Sequence, residues 1–213
     1  MNTLNVISRV KQELDDQGIF YTDEDIFDSL QDGYDEIVLY SGCIEKIVSV
    51  PFPVTPYYNL LSVIPDFYRV FAIYNPNNKQ FLEPITFQIL DGFTDEWETE
   101  TGTPQWFVPI DFKYIAFYPY YAAVPSLNMY VMYYAQAPDF TTSNNLEIPS
   151  NHQGVIENYV VNDLLDQSLE FKKSTTIFKT YLSELEKLKK EVERRNQSDR
   201  IQQMMVKINA NLD

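Results

Sequence analysis

The chain has 213 residues, a formal net charge of −15, 45% hydrophobic residues and a single cysteine. This length and apolar content are typical of one good-sized domain or two small ones with a sizeable core. The one cysteine, Cys43, excludes an internal disulfide and a multi-cysteine metal site. There is no run of 18 apolar residues and no apolar leader, so we expect neither a membrane span nor a signal peptide.

The charge is unevenly distributed along the chain. Residues 1–170 contain 6 Lys or Arg and 25 Asp or Glu, a net charge of −19, whereas residues 171–213 contain 10 and 6, a net charge of +4. Because an acidic body repels the phosphate backbone, this composition argues against sequence-specific nucleic-acid binding. Two interpretations stay open: the charge keeps the protein in solution, or it forms a surface that lies near DNA without gripping it.

Proline and aromatic residues mark a central module. All twelve prolines lie between Pro51 and Pro149, and this window holds 23 of the 32 aromatic residues. Because proline interrupts helices, the window predicts a β-rich module inserted between two helical ends. The predicted parts are a helical bundle from 1–42 and 150–197, a β-rich wing module at 43–149, and a C-terminal tail or arm at 198–213.

Two N-terminal helices are predicted from the spacing of apolar residues. The first runs from Thr3 to Gln17 and ends at Gly18 as a C-cap. Its predicted buried stripe is Leu4, Ile7, Val10 and Leu14. The second begins after Thr22, an N-cap followed by three acidic residues that suit the positive end of the helix dipole, and it ends at Gly42.

The C-terminal part is predicted to be helical after Pro149-Ser150. A well-buried helix ending near Leu169 precedes a basic break at Lys172-Lys173, and a second helix follows from Thr175 to Arg195. That second helix has a narrow apolar seam, which consists of Phe178, Tyr181, Leu182, Leu185, Leu188 and Val192. The arm has one weaker stripe, a tentative partner-binding site formed by Ile201, Met204, Met205 and Ile208. It is either a docked helix or an arm that orders on a partner.

The centre of the β-rich module is the stretch 102–121. Gly102, Thr103 and Pro104 predict a turn in which glycine supplies unusual dihedral angles and proline fixes φ. Two aromatic runs follow, joined through Asp111, and they indicate a hairpin. With the runs on either side, the module contains about six strands, which is enough for a small sandwich or barrel.

No catalytic constellation is present in the sequence. The only histidine, His152, has no nucleophile beside it, and we interpret it as a polar residue near a helix start. No phosphate loop or calcium loop is found, so we expect no cofactor and no metal. The acidic loop 95–100, which contains Trp97, is the one place where a pair of carboxylates could serve a glycosidase.

The aromatic residues near the end of the central stretch have two possible roles. Tyr118, Tyr120 and Tyr121 could line a sugar-binding groove, because tyrosines suit contact surfaces. They could equally form cross-strand pairs in the core or in a subunit interface, which is the interpretation that we favour.

Several short motifs occur in a fixed order along the chain. A Thr-acid-acid start at Thr22 is followed by Pro65-Asp66-Phe67 with Arg69, and later by Gly102-Thr103-Pro104 before an aromatic pair. The remaining motifs are Leu82 to Ile85, Phe117-Tyr118-Pro119, Tyr133-Tyr134 ending at Ala137-Pro138, and Ile148-Pro149. In this order they resemble the head–tail adaptor (connector) proteins of short-tailed bacteriophages, over roughly residues 3 to 195.

The resemblance implies a structural protein without catalysis. It implies a twelve-fold homo-oligomeric ring that docks beneath the portal and meets a tail tube or nozzle protein. DNA would pass through the channel without sequence-specific contacts. For such a ring we predict that an acidic helical face borders the channel. The protein would be made in the host bacterial cytoplasm and would reside at the head–tail junction of the virion, with no membrane involved. The motif residues Pro65, Asp66, Arg69, Gly102, Thr103, Pro104, Tyr118 and Pro119 would shape turns and strand ends.

The predicted fold class is α+β, a helical bundle built from the N- and C-terminal helices with an inserted antiparallel β module. The alternative function is a carbohydrate- or receptor-binding tail component that uses the aromatic β module. A tail-associated glycosidase is the third possibility. Compared with the adaptor pattern, this chain has a more acidic body and an extra tail after Asn196.

Overall fold

The structure is a computed structural model that describes residues 2–15, 20–93, 95–141 and 145–194. It divides into two compact units. The helical unit comprises residues 1–44 and 136–213, and the sheet unit comprises Glu45–Ala135. The three-part division predicted from proline placement, with its boundaries at 42 and 150, stays a prediction about domains.

The described residues contain five α-helices and seven strands. The helices are α1 (Thr3–Glu13), α2 (Asp23–Ser41), α3 (Phe87–Phe93), α4 (Gly154–Gln167) and α5 (Phe171–Arg194). The strands are β1 (Glu45–Val50), β2 (Tyr57–Asn59), β3 (Phe67–Asn75), β4 (Gln80–Pro84), β5 (Trp106–Pro109), β6 (Tyr114–Tyr118) and β7 (Met129–Ala135). With 43% helix and 23% strand in separate units, the predicted α+β class is confirmed.

Helix α1 is shorter than its sequence pattern predicts. It begins where the Asn2 side chain accepts a hydrogen bond from the Leu4 backbone N–H at 2.9 Å. It ends at Glu13, because the chain turns through Asp15, whose φ is 51°. The prediction of an end at Gln17 was therefore wrong, and the proposed cap Gly18 lies outside the described residues. Leu4, predicted to be buried, is 56% exposed.

Helix α2 has both of its predicted ends. The Thr22 hydroxyl accepts from the Asp25 backbone N–H at 3.1 Å, and the Asp25 carboxylate accepts from the Thr22 N–H at 2.8 Å. This reciprocal pair is a capping box, which satisfies two backbone donors that the helix cannot satisfy itself. Gly42 ends α2 with a left-handed φ of 64°, as a C-cap glycine does.

The junction between α4 and α5 differs from the prediction. The chain breaks at Leu169, which has a φ of 63° and is 71% exposed, so it does not belong to the buried face of α4. Lys172 and Lys173 lie in the first turn of α5 and do not form a break. In α5 the buried seam contains Tyr181, Leu185, Leu188 and Val192, with Ser174. The other two predicted seam residues, Phe178 and Leu182, are each 43% exposed.

The sheet unit contains one seven-stranded sheet with the order β1-β7-β3-β4-β5-β6-β2. It curls into a half-barrel, which is the form taken by the predicted small sandwich or barrel. All neighbouring strands are antiparallel except β4 and β5, so the sheet is mixed. A parallel pair requires a crossover, and the segment between these strands supplies it with the short helix α3. Edge strand β2 was missed because prolines surround it.

Candidate functional site

Asp66, from the first motif, connects three strands of the sheet unit. Its carboxylate accepts a hydrogen bond from Lys46 Nζ in β1 at 2.7 Å and one from the Tyr133 hydroxyl in β7 at 2.8 Å. It lies immediately before Phe67, the first residue of β3. Partial burial acts to raise the pKa of Asp66, but these two hydrogen bonds and the Lys46 charge outweigh it and hold the pKa below its usual value.

The other residues of this motif lie at the same edge of β3. The guanidinium of Arg69 lies 4.9 Å from the ring centroid of Tyr134, a cation–π contact with the neighbouring strand β7. Pro65 is exposed, in the turn that leads into β3. The motif therefore contacts β7 at two consecutive residues, Tyr133 and Tyr134, which are themselves one of the predicted motifs.

Gly102 makes a close approach to another part of the chain and does not adopt unusual dihedral angles. A Cβ atom placed on Gly102 would lie 3.2 Å from Cγ of Pro119. Its φ is not in the left-handed region, so the dihedral explanation given by the sequence was wrong. The Gly102 N–H donates to the carbonyl oxygen of Tyr120 at 2.8 Å, which fixes this corner. Thr103 is exposed and Pro104 is buried beside it.

Tyr118 and Pro119 end strand β6 at the same corner. The peptide bond between them is cis. The Tyr118 ring stacks on Trp106 of β5 with centroids 5.7 Å apart, and its hydroxyl donates to Glu100 at 2.6 Å. That hydrogen bond to a carboxylate, followed by desolvation, raises the pKa of Tyr118. Two predicted motifs, Gly102 to Pro104 and Tyr118-Pro119, are thus brought into contact.

The hairpin predicted through Asp111 is present. Strands β5 and β6 pair antiparallel, and the Asp111 carboxylate accepts from the backbone N–H groups of Lys113 and Tyr114 at 2.6 and 3.0 Å. This is the Asx-type turn geometry for which aspartate is favoured.

Three residues of the acidic loop 95–100, namely Trp97, Glu98 and Glu100, make contacts within the sheet unit. Trp97 is buried with Leu90 and Val108. The Tyr57 hydroxyl donates to Glu98, and burial together with this bond raises the pKa of Tyr57 to about 12. With Glu100 bound to Tyr118, two of the loop's carboxylates accept hydrogen bonds from tyrosines. No observation favours the glycosidase hypothesis.

The tyrosines that could have formed a sugar groove are half-buried. The Tyr121 hydroxyl accepts from Asn75 Nδ2 at 3.0 Å, and its ring packs edge-on against Phe52. Asn75 is fully buried, and its side-chain oxygen accepts from the backbone and the side chain of Asn77. Tyr121 therefore completes a buried polar network, which supports a structural role for this residue.

His152 pairs with a carboxylate. Its Nε2 lies 2.7 Å from Glu191 Oε2 of α5, and Asn151 Nδ2 donates to the same oxygen at 3.1 Å. These contacts connect the start of α4 to α5. Cys43 is buried at the end of α2, as expected for a small apolar side chain.

The described residues also bear on two other kinds of site, a metal site and a membrane span. No group of three or more His, Cys, Asp or Glu in the described ranges could hold a metal ion. No helix among the described residues is long and apolar enough to cross a membrane. The arm residues Ile201, Met204, Met205 and Ile208 lie outside the described residues, so their role stays a prediction.

Two contacts in the helical unit escaped prediction from sequence. A Cβ atom on Gly33 of α2 would lie 2.3 Å from Cδ1 of Tyr159 in α4, so only glycine fits there. The Tyr181 hydroxyl of α5 donates to Glu36 of α2 at 2.6 Å. Both depend on which helices are neighbours, and a single stretch of sequence does not carry that information.

A comparison with family models identifies the chain. The family described as SU10 adaptor protein matches residues 1–205. The chain belongs to the SU10 adaptor protein family. No curated protein sequence matches it significantly.

The SU10 adaptor match confirms the resemblance to phage head–tail adaptors. The chain is therefore a structural, virion-associated adaptor of a bacteriophage, with its place at the head–tail junction. The match extends past Arg194, the last described residue, and includes three of the four arm residues, Ile201, Met204 and Met205.

Proposed function

We propose that this adaptor forms a twelve-fold ring that joins the portal to the tail around the channel through which DNA leaves the head. The family match over residues 1–205 carries the proposal. A ring also suits a subunit with different contact surfaces on its two sides, because heterologous contacts close by rotation. The tail-side partner is a tail tube or nozzle protein, and the ring takes part in genome ejection. The chain is not an enzyme and needs no cofactor.

Electron microscopy of the adaptor mixed with the portal of the same phage tests the ring. We expect a closed ring of adaptor copies stacked on the portal, with twelve-fold symmetry. Free single copies beside an undecorated portal would contradict the proposal. The portal alone, prepared in the same way, is the control.

The wall of the proposed channel is net acidic. The support is the charge distribution, because residues 1–170 have a net charge of −19. Carboxylates repel the phosphate backbone, so DNA would slide past without binding. A channel wall lined mainly by Lys and Arg in the assembled ring would be incompatible with this part of the proposal.

The arm contributes a partner contact through Ile201, Met204, Met205 and Ile208. Their spacing gives one apolar stripe if the segment is helical, and a partner would cover that stripe. Deletion of residues 196–213 should leave the circular dichroism spectrum of the body helical and weaken portal binding. A deletion variant that binds the portal like the full chain would remove the arm from the interface.

The eight motif residues have a structural role in this proposal. Asp66 and Arg69 attach the start of β3 to β7, and Gly102 packs against Pro119. The bundle, the β-rich module and the arm would be separate parts of the adaptor, as the proline distribution indicates.

A further inference from the structure

Helix α2 exposes a line of carboxylates. Asp28, Asp32 and Asp35 are exposed and follow one another at steps of four and three residues, so they lie on one face of the helix. Leu39, 39% exposed, continues the line by another four residues. We call these four residues the acidic ridge. In total α2 contains seven acidic residues and no basic residue.

The ridge is not neutralised within the described chain. None of the ion pairs found among the described residues involves Asp28, Asp32 or Asp35. Like charges three or four residues apart destabilise a helix. Partial burial, with the nearby charges of Asp139 and Asp32, raises the pKa of Asp35. The chain therefore maintains a costly concentration of negative charge on this face.

Helix α5 exposes the complementary charge. Lys179, Lys187, Lys190 and Arg194 are exposed and lie on its solvent face, opposite the buried seam. We call these four residues the basic line. Helix α5 contains seven basic residues against four glutamates, whereas residues 1–170 have a net charge of −19.

The basic line is long enough to cover the whole acidic ridge. At 1.5 Å per residue the line covers about 22 Å from Lys179 to Arg194, and the ridge covers about 16 Å from Asp28 to Leu39. The apolar side chains Phe178 and Leu182, each 43% exposed, lie on the face of α5 beside the basic line. No ion pair joins α2 to α5 within the described part of the chain, so the acidic ridge and the basic line do not pair with each other inside one copy.

We propose that the acidic ridge on α2 of one copy docks on the basic line of α5 of the next copy, and that this contact builds the ring. It rests on the proposed function, because it assumes that copies of the chain assemble. The two surfaces are different, so the contact is heterologous, the type that generates rings. Complementary charges fix its register, and Leu39 and Leu182 supply apolar contact beside them.

A second copy is a better occupant of the basic line than DNA. DNA would pair with the lysines alone and would leave the acidic ridge without a partner. A second copy satisfies both surfaces in one contact. The ridge then lies between subunits, and the proposed acidic wall of the channel is formed by other carboxylates.

Charge reversal on the full chain tests the contact. One variant carries Lys179→Glu, Lys187→Glu and Lys190→Glu, and the other carries Asp28→Lys with Asp32→Lys. The first variant has two negative surfaces and the second has two positive surfaces. Native mass spectrometry and sedimentation, with the portal present, should show at least about a tenfold smaller fraction of rings for each variant than for wild type.

Mixing the two variants provides the sharpest result. Each contact in an alternating ring again joins one positive and one negative surface, so we expect rings of both variants in equal numbers. The chain that carries all five substitutions should also assemble alone. The control is Lys79→Glu with Lys113→Glu, a pair of charge reversals at exposed lysines of the sheet unit, and it should assemble like wild type.

Three results would overturn the contact while the ring itself stands. The first is that both variants form rings like wild type. The second is that the mixture of the two variants forms no rings. The third is that the lysine variant forms rings normally but no longer binds DNA. A wild-type chain that never assembles, even with the portal, would instead refute the proposed function and the contact together. Circular dichroism verifies the fold, and Lys179→Gln, Lys187→Gln and Lys190→Gln together replace the lysine reversal if that variant unfolds.

Discussion

At the scale of single residues, Asp66 has the clearest role in the sheet unit. It accepts hydrogen bonds from Lys46 and Tyr133, which belong to two paired strands, β1 and β7. The ion pair with Lys46 is partly exposed, with about a third of each side chain accessible, so water screens it. The hydrogen bonds that Asp66 accepts from Lys46 and Tyr133, rather than the Coulomb attraction between Lys46 and Asp66, should therefore account for most of the stabilising effect of Asp66.

We predict that Asp66→Asn lowers the free energy of unfolding by about 1 to 2 kcal/mol, because it removes the charge from a carboxylate with two donors. Urea denaturation of wild type and variant measures the difference. Asp95→Asn, an exposed carboxylate in the sheet unit, is the matched control and should change stability by less than about 0.5 kcal/mol. Equal stability of Asp66→Asn and wild type would rule out the strand-linking role.

The effect of Asp66 should depend on pH in one direction. Its pKa is lowered in the folded state from the ordinary value of 3.8. Stabilisation is then complete above that value and is lost as the pH falls through the lowered folded-state pKa. The stability difference between wild type and Asp66→Asn should be constant from pH 7 to 5 and shrink below pH 4. A difference that grows on acidification would show the opposite shift.

At the scale of elements, the packing of α2 against α4 depends on Gly33. In an isolated helix, Gly→Ala is stabilising by up to about 1 kcal/mol. Here the added methyl group would overlap the Tyr159 ring, which itself packs edge-on against Tyr181.

We predict that Gly33→Ala destabilises the protein by about 1 to 3 kcal/mol, the usual cost of overpacking. Gly92→Ala in α3 is the control, because nothing lies within 4 Å of its added Cβ atom. Thermal unfolding should show a lower midpoint for Gly33→Ala and an unchanged or higher one for Gly92→Ala. If both variants behave alike, Tyr159 does not confine α2.

Local signals explain which elements could be predicted from the sequence. The ends of α2 are determined by Thr22, Asp25 and Gly42, and the β5–β6 hairpin by Asp111, all of which act within a few residues. Helix α3 and strand β2 were missed because each is short and takes its stability from neighbours far along the chain. The exposure of Phe178 and Leu182 was also missed, because apolar spacing does not reveal which face a neighbour covers.

The site residues show the same limit. The order of the motifs in the sequence singled out Asp66 and Gly102 as structural residues, but it did not predict which residues they contact. The bond from Tyr133 to Asp66 spans 67 residues, and the Gly102 corner requires Pro119. These pairings follow from the sheet order, in which β7 lies between β1 and β3, and that order is a property of the whole unit.

At the scale of the whole molecule, the separation of charge is the feature most relevant to assembly. Seven acidic residues lie in α2 without a base, and α5 has a basic excess. A contact based on such charges should weaken as salt is added, because the Debye length falls from about 10 Å at 0.1 M to about 3 Å at 1 M.

We predict that the fraction of assembled rings decreases between about 0.1 M and about 0.5 M NaCl, because the shorter Debye length at higher salt screens exposed charge pairs more strongly. Sedimentation velocity of the full chain, with the portal present, measures this fraction. The five-substitution chain is the control and should show the same salt dependence, because its contacts are again between opposite charges. Rings that persist or increase with salt would indicate an interface dominated by apolar contact.

The central claim is that this SU10 adaptor assembles on a portal, and native mass spectrometry tests it most directly. The purified chain would be measured alone and after mixing with the portal of the same phage. The account predicts a complex with one adaptor copy for each portal subunit. An adaptor that stays monomeric and leaves the portal unbound would contradict it.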